Sequence, residues 1–447
     1  MRKPWTWATT GAASLAIVAA AAYVLAGRGQ AGGTGAVTGD ATGPVAVRLV
    51  PTPLKIYPIG ADVASEAELI EAARVVRPYF RRNKVPVVLA YHSLRVWGTH
   101  APFSNKEVPV DEVEGLSGDG LFLAALTDHE TYQAVSKVTL ERLLVPSRHG
   151  IQVVTSAVDA GWGQQWGSSH VGKYIQVMAD LGVGSDHPLK LAGLRSGTLA
   201  DVVRDEAKRY HQTTEPEWIA CGLSRYLVNP RWENQFGQAM SIESLAVALM
   251  ERPYGAGACL GTHVPNALAT ILNVHETTPV VSPACVEAIR ARLKAYSAHL
   301  TGRQAEDGSW SADWPLESPS ESQAPPEPMA VELSQSVIAH KEKVTATGHH
   351  LEWFVLCPPE LRPPDPVLRK AVRYLIGTLP GFEGGVQADF HVYLPASHAV
   401  RGLVLATGRQ WADPAWLREA VGRSPFRETP RSEHALPVPP THLGGPL

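Results

Sequence analysis

The chain has 447 residues, of which 45% are hydrophobic and 19% charged, with 12 Trp and a formal net charge of -3. That composition belongs to a packed globular protein and excludes an extensively disordered chain. With the charge so near zero and no long Lys/Arg run, the electrostatic footprint of a nucleic-acid binder is missing, so nucleic acid is excluded as a partner.

From the N-terminus, Arg2 and Lys3 precede Trp5–Gly27, a stretch with no charged residue that is long enough for a helix to cross a bilayer. Basic residues before such a span favour keeping the N-terminus in the cytoplasm. Residues 1–27 are therefore expected to anchor the chain in a membrane, with the bulk of it extracytoplasmic. A cleaved signal peptide, leaving a secreted protein, is the alternative; the apolar stretch exceeds the ~7–15 residues of a signal-peptide core, which favours the anchor. Residues 28–48, Gly-rich at their start, read as a flexible linker. The folded domain is expected over 49–424, with a Pro/Ser/Glu-rich loop at 315–328, and a Pro-rich tail follows at 425–447.

Within the domain, apolar residues recur at helical spacing over Glu66–Phe80, Thr131–Leu144, His170–Leu181, Leu199–His211, Glu217–Leu227 and Ile242–Met250. The same spacing continues over His263–Leu272, Cys285–Leu300, His349–Leu356, Val367–Ile376 and His398–Thr407, while strand-like alternation is scarce. Gly or Pro in connections such as Gly182–Pro188, Pro230 and Pro253–Gly257 fits short turns between antiparallel helices. The expected fold class is all-α, built of serial helical hairpins. Cys221, Cys259, Cys285 and Cys357 lie far apart and read as free thiols by default, although export would allow a pair to oxidise.

Five segments place a His near an expected helix start with a polar residue three positions on: His92/Arg95, His170/Lys173, His263/Asn266, His349/Glu352 and His398/Arg401. Each pair shares a helical face. Ser169, Thr262 and Ser397 suit N-caps. In a ring of hairpins such residues converge on one mouth of a central cavity; otherwise they are histidines satisfied within the core or at caps.

Leu300–Trp310, LTGRQAEDGSW, resembles the QW motif of the squalene/hopene-cyclase and protein-prenyltransferase superfamily. The resemblance implies an α/α toroid of about six helical hairpins, in which Gln304, Gly308 and Trp310 knit one helix end to the next helix start. The cyclase's acidic Asp-x-Asp-Asp motif does not occur, so triterpene cyclisation is not expected. Prenyltransferases of that superfamily hold zinc on an Asp, a Cys and a His. Here GACLGTH offers Cys259 and His263, but Gly255 and Gly257 place Cys259 in a turn and the family's Asp-x-Cys pair is missing. No metal and no other cofactor is expected, Cys259 and His263 being the candidates should a metal bind.

Thr347–Trp353, TGHHLEW, is similar to the Gly-His-x-x-Glu-Trp stretch of the N-acylglucosamine and cellobiose 2-epimerases, another α/α-barrel family. A carboxylate one turn from an imidazole suits general acid/base chemistry. The resemblance makes His349 and Glu352 the leading catalytic candidates, with His350, His398 and His170 beside them, and gives Trp353 as a sugar-stacking platform. GWGQQWGSSH adds Trp162, Gln165 and Trp166 to the ligand-binding candidates, with His92 and His263. A buried His–Glu pair and a Trp-packed turn are the structural alternatives. Phosphate-loop, G-x-S-x-G and H-E-x-x-H patterns are missing, which disfavours nucleotide-driven and zincin chemistry. The expectation is a membrane-anchored extracytoplasmic module that binds a small-molecule, glycan or protein ligand. The alternative is an enzyme working on a carbohydrate by His/Glu acid–base chemistry.

Overall fold

A computed structural model describes residues 45–76, 87–100, 120–136, 142–155, 168, 170–193, 195–211, 214–316, 335–383, 390–413 and 415–416. The described chain is mostly helical. In order it runs α1 (Glu66–Val75), α2 (Val87–Trp97), α3 (Leu121–Thr127), α4 (His129–Ser136), β1 (Leu144–Ser147), β2 (Gly150–Val153) and α5 (Lys173–Asp180). It continues through β3 (Pro188–Lys190), β4 (Ser196–Thr198), α6 (Leu199–Arg209), α7 (Pro216–Tyr226), β5 (Arg231–Glu233), β6 (Ala239–Ser241) and α8 (Ile242–Met250). The last five helices are α9 (His263–His275), α10 (Pro283–Arg303), α11 (Gln335–Phe354), α12 (Asp365–Thr378) and α13 (Phe390–Ala406).

Local chemistry sets many of these ends. Ser65 accepts from the Glu68 N–H while Glu68 returns to the Ser65 N–H, a reciprocal cap that starts α1. Ser241 and Ser244 do the same for α8. Ser282 caps α10, with Pro283 in its first turn. The expected helix Thr131–Leu144 is not one element, because α4 ends at Ser136 and Leu144 opens β1. There the sequence alternates buried and less buried residues on either side of a turn, and β1 pairs antiparallel with β2. β3–β4 and β5–β6 are two further antiparallel hairpins. The helices around His349 and His398 begin well before those residues, at Gln335 and Phe390. α2 is buried on every side, so it shows no amphipathic period from which to read it.

The expected anchor 1–27, most of the linker and the tail 425–447 lie outside the described residues, as does most of the Pro/Ser/Glu-rich loop. No helix among the described residues is long and apolar enough to cross a membrane.

Six helices pack in a closed cycle: α2 on α5, α5 on α7, α7 on α9, α9 on α11, α11 on α13, and α13 back on α2. Others lie against this cycle from outside, among them α8 and α10 on α9, α12 on α11 and α1 on α13. Glycines set the closest approaches. A Cβ on Gly348 of α11 would lie 2.6 Å from backbone atoms of Ala399 on α13, and one on Gly172 would lie 2.6 Å from the Ile219 backbone of α7. The Gln304 amide donates to the carbonyls of Gly308 and Val367, and Trp310 Nε1 donates to Leu300, joining the end of α10 to the start of α12.

Residues 45–60 cross the C-terminal ends of the cycle. Arg48 and Thr52 donate backbone N–H groups to Tyr226 and Arg225 of α7, Tyr57 donates to Val355 just after α11, and Ile59 donates to Ala406 of α13. Asn273 of α9 closes a paired bond with the Lys55 backbone. This strap satisfies carbonyls that helix ends leave without partners, and it shuts that end of the ring.

Two predictions follow from packing and burial. Gly348→Ala forces α11 and α13 apart and should lower stability by about 1–3 kcal/mol, whereas Gly302→Ala, with nothing within 4 Å, should leave it unchanged or raised; urea midpoints compare them. Glu206 of α6 is buried, which pushes its carboxyl up to about 7 against the opposing pull of Arg209 and a Gly172 N–H. Its folded value lies above its unfolded one, so the folded state favours the protonated form. That contribution is complete at pH 4 and is lost as pH rises through 7. Glu206→Gln should match the wild type near pH 4 and exceed it at pH 8, by an amount on the order of 3 kcal/mol, in melts run at both values.

Candidate active site in the ring interior

Glu352 sits in the last turn of α11 with its side chain 2% exposed. Oε2 accepts from His398 Nδ1 on α13 at 2.9 Å and faces His349 Nδ1 on its own helix at 3.3 Å. Oε1 faces Arg95 Nη2 of α2 at 3.4 Å and Arg401 Nε of α13 at 3.2 Å. Asp180, ending α5, binds the same guanidiniums and one more: Arg95 Nε at 3.0 Å, Arg401 Nη2 at 3.2 Å and Arg225 Nη1 of α7 at 2.8 Å. Two carboxylates and three guanidiniums from five helices thus form one buried network. Arg95 and Arg225 lie near the C-terminal ends of their helices, where the helix dipole favours cations. Beside the network is a small cavity lined by Arg95, Gln176, Asp180, Asn266, Thr270, Glu352 and Arg401, with Leu54, Leu356 and Leu405. It has room for about one water molecule.

Burial alone would raise the Glu352 carboxyl, but Arg95, His398 and the hydrogen bonds from both imidazoles hold it well below the usual carboxylate range. Asp180 is lowered against its own burial by its three guanidiniums. Burial and the neighbouring Arg95 bring Arg401 down to about 10. Desolvation drives His92, His263 and His398 well below the ordinary histidine value, so these imidazoles are neutral. Lys173 is buried likewise, 3.7 Å above the Trp218 ring with no hydrogen-bond partner for Nζ, and its amine is pushed far down.

The rings form a continuous row from the less buried His170 inward. His170 stacks on Trp218 with centroids 4.8 Å apart and pairs with Glu215, and Trp218 lies 3.8 Å from His263. His263 then meets His349 at 4.6 Å, His349 meets His398 at 3.6 Å, and His398 meets His92 at 4.6 Å. His92 Nδ1 bonds the Ser397 hydroxyl.

Cys259 stands at the solvent side of this row. It is exposed as a residue, yet its Sγ lies within 4.8 Å of nitrogens of His263 and His349, which are themselves within that distance of each other. Protein packed around the thiol would raise its pKa; the adjacent His349 outweighs this and leaves it lowered. Cys259 and Leu260 have φ of 50° and 61° and are the only non-glycine residues with positive φ among those described. Such strain, of order 1–3 kcal/mol per residue, clusters at functional sites. His349, Glu352 and His398 form a second group with donor atoms within 4.8 Å. Thiol and imidazole donors suit a transition metal, whereas Glu352 is already engaged by Arg95 and Arg401.

Of the residues singled out from sequence, His92, His263, His349, Glu352 and His398 meet in the ring, with His170 at the row's outer end. They meet by lying at different heights of their helices: His263 opens α9, whereas His92 and His398 are mid-helix and His349 is in the second-last turn of α11. His350 and Trp353 face the other way. Trp353 is fully buried against Tyr296 of α10, and its indole N–H donates to His350 Nδ1. His350 packs between Trp310 and Trp314. Neither is a platform or proton carrier for the cluster. Trp162, Gln165 and Trp166 lie outside the described residues. Sequence reasoning passed over Asp180, Arg225 and Trp218; the usable signal was polar residues on the buried face of a short helix, as with Lys173, Gln176 and Asp180, spaced three and four apart on α5.

No family model matches the chain, and no curated protein or solved structure matches it either.

Breaking the network from its centre should be costly. Asp180→Asn leaves three guanidiniums short of a counter-charge and should destabilise by roughly 3–5 kcal/mol, while Glu215→Gln, which removes only the partly exposed pair with His170, should cost under about 1 kcal/mol. Chemical denaturation of both variants at pH 7 checks the contrast.

Proposed function

We propose that the chain is an α/α-toroid enzyme that moves protons on a small polar substrate of the carbohydrate class, with Glu352, His398 and His349 as its working groups. The closed cycle of six helices, with further helices outside it, supports the toroid reading. One observation carries the enzyme reading: a single ionised, buried carboxylate is shared by imidazoles from two helices, while the Nε2 atoms of His349 and His263 are buried and have no partner.

Glu352 accepts at Nδ1 of both rings; burial keeps His398 neutral with Nε2 as a bare base, whereas at His349 burial is outweighed by Cys259 and Glu352, which favour its charged form. One imidazole takes a proton from the substrate and the second returns one, with Glu352 stabilising whichever ring is charged. Arg95 and Arg401 hold the carboxylate from behind and keep it ionised. The cavity beside them has room for water only, so the substrate lies on the Cys259 and His170 side of the row, against the imidazoles and the Trp218 face. Imidazoles that can hydrogen-bond beside an indole face favour a polyol over an isoprenoid chain, in keeping with the GHHLEW resemblance. The apolar segment 5–27 would present this domain from a membrane.

Incubating the full-length chain with aldoses, ketoses and N-acylated sugars in deuterium oxide tests this. The expected result is carbon-bound deuterium in one sugar class by NMR, slowed by about 10²–10⁴-fold in Glu352→Gln. A ligand that raises the melting temperature with no exchange would instead make the ring a binding module, and exchange that Glu352→Gln leaves at the wild-type rate would remove Glu352 from the mechanism.

A further inference from the structure

We infer that Cys259, His263 and His349 form a binding site for one zinc ion, with Glu352 as the carboxylate that orients His349 behind it. The inference stands on ligand geometry and not on the acid–base reading, and it takes for zinc the His349 Nε2 that the acid–base reading uses for proton transfer, so the two are rival uses of that atom.

The three donors come from two places that the packing of α9 on α11 brings side by side: the turn before α9 together with its first residue, and the second-last turn of α11. Sγ and the two imidazole nitrogens lie within 4.8 Å of one another. A tetrahedral zinc with one sulfur and two nitrogen ligands needs donor separations of roughly 3.3–3.6 Å, a contraction that side-chain rotation supplies. A single cysteine among histidines would carry little weight by itself; three independent observations add to it.

His263 Nε2 and His349 Nε2 are both buried without a hydrogen-bond partner, their residues being 3% and 2% exposed. A metal would satisfy both with one bond each. The backbone at Cys259 and Leu260 is held at positive φ, where non-glycine residues are disfavoured, and that turn brings the thiol alongside two imidazoles. His349 Nδ1 faces Glu352 Oε2 at 3.3 Å, so its Nε2 is the ligand atom, the carboxylate–histidine arrangement that supports metal-bound histidines.

The donor set selects the ion. Thiolate with two imidazoles suits zinc and excludes magnesium and calcium, which take oxygen ligands. The overlapping trio of His349, Glu352 and His398 is the poorer site, because both Glu352 oxygens already meet ion-pair or hydrogen-bond partners. Three protein ligands leave a fourth position, and the exposure of Cys259 opens that side to water, the pattern of a zinc site with an exchangeable ligand. Metal at His349 leaves the His398–Glu352 pair intact.

The test is metal binding by the full-length chain, read without any activity. After chelator treatment and reloading, the wild type should retain one zinc per chain by atomic emission, and the cobalt-loaded protein should show a thiolate-to-cobalt charge-transfer band. Cys259→Ser should abolish that band and weaken zinc binding by at least about tenfold, as should His263→Gln; Glu352→Gln should weaken it by about 10–100-fold while keeping the band. In the wild type, zinc should also block iodoacetamide labelling of Cys259, the one exposed cysteine among the four, a readout that does not depend on any variant folding. Folded wild type that retains no zinc, Cys259 labelling that zinc leaves unchanged, or a Cys259→Ser protein that binds as tightly as wild type would each overturn the site. Loss of deuterium exchange with zinc still bound would count against the acid–base reading and leave this one standing.

Discussion

Where Gly348 of α11 lies against Ala399 of α13, two helix backbones come closer than any side chain there would allow, and the chemistry of the interior depends on that contact. Glu352 follows Gly348 by one turn, and only this proximity lets its carboxylate reach His398 on the opposite helix. The same carboxylate meets Arg95 and Arg401, and through them Asp180 and Arg225, so a close backbone contact between two helices is transmitted as ion pairs to the other side of the ring. Buried charges are expensive to desolvate, and such a network persists only when every member has partners. Asp180 and the strap carbonyls supply them at the closed end.

The interior is therefore graded along the ring axis. Toward the strap lie guanidiniums and carboxylates in mutual pairs, together with a space that holds one water. Toward the other end lie the neutral imidazoles of His92, His263 and His398, the imidazole of His349, whose pKa Cys259 and Glu352 raise against its burial, an indole, a desolvated amine and a thiol, groups that give or accept protons and bind soft metals. The first layer holds the second in place: Glu352 orients His349 and His398, and the guanidiniums fix Glu352. Substitutions in the first layer should register mainly as stability, and those in the second mainly as chemistry or metal affinity.

Much of this was legible in five i,i+3 pairs. His92, His263, His349 and His398 do face one another, and the second members Arg95, Asn266, Glu352 and Arg401 line the small cavity described above, because three residues is close to one helical turn and both members share an inward face. Their heights were misread because helix starts were placed at the histidines, whereas α11 and α13 extend upstream through polar or Pro-containing sequence that carries no clean apolar period. His350 and Trp353 were misassigned for the same geometric reason, since residues adjacent to His349 and Glu352 point about 100° away and belong to the layer shared with α10. Asp180 and Arg225 carried no motif; their role comes from partners 45 to 221 positions away in sequence. Gln304 and Trp310 tie the end of α10 to the start of α12, two helices on, where the resemblance implied a join to the next helix.

The strap also gives the molecule a direction. Residues 45–60 run along the face where the C-terminal ends of the ring helices gather. That side is the sealed one, and Cys259 and His170, at the N-terminal ends of the ring helices, lie toward the other, like the rim of a cup above its base. On the readings proposed above, substrate or metal would enter at the N-terminal ends of the ring helices and not past the strap.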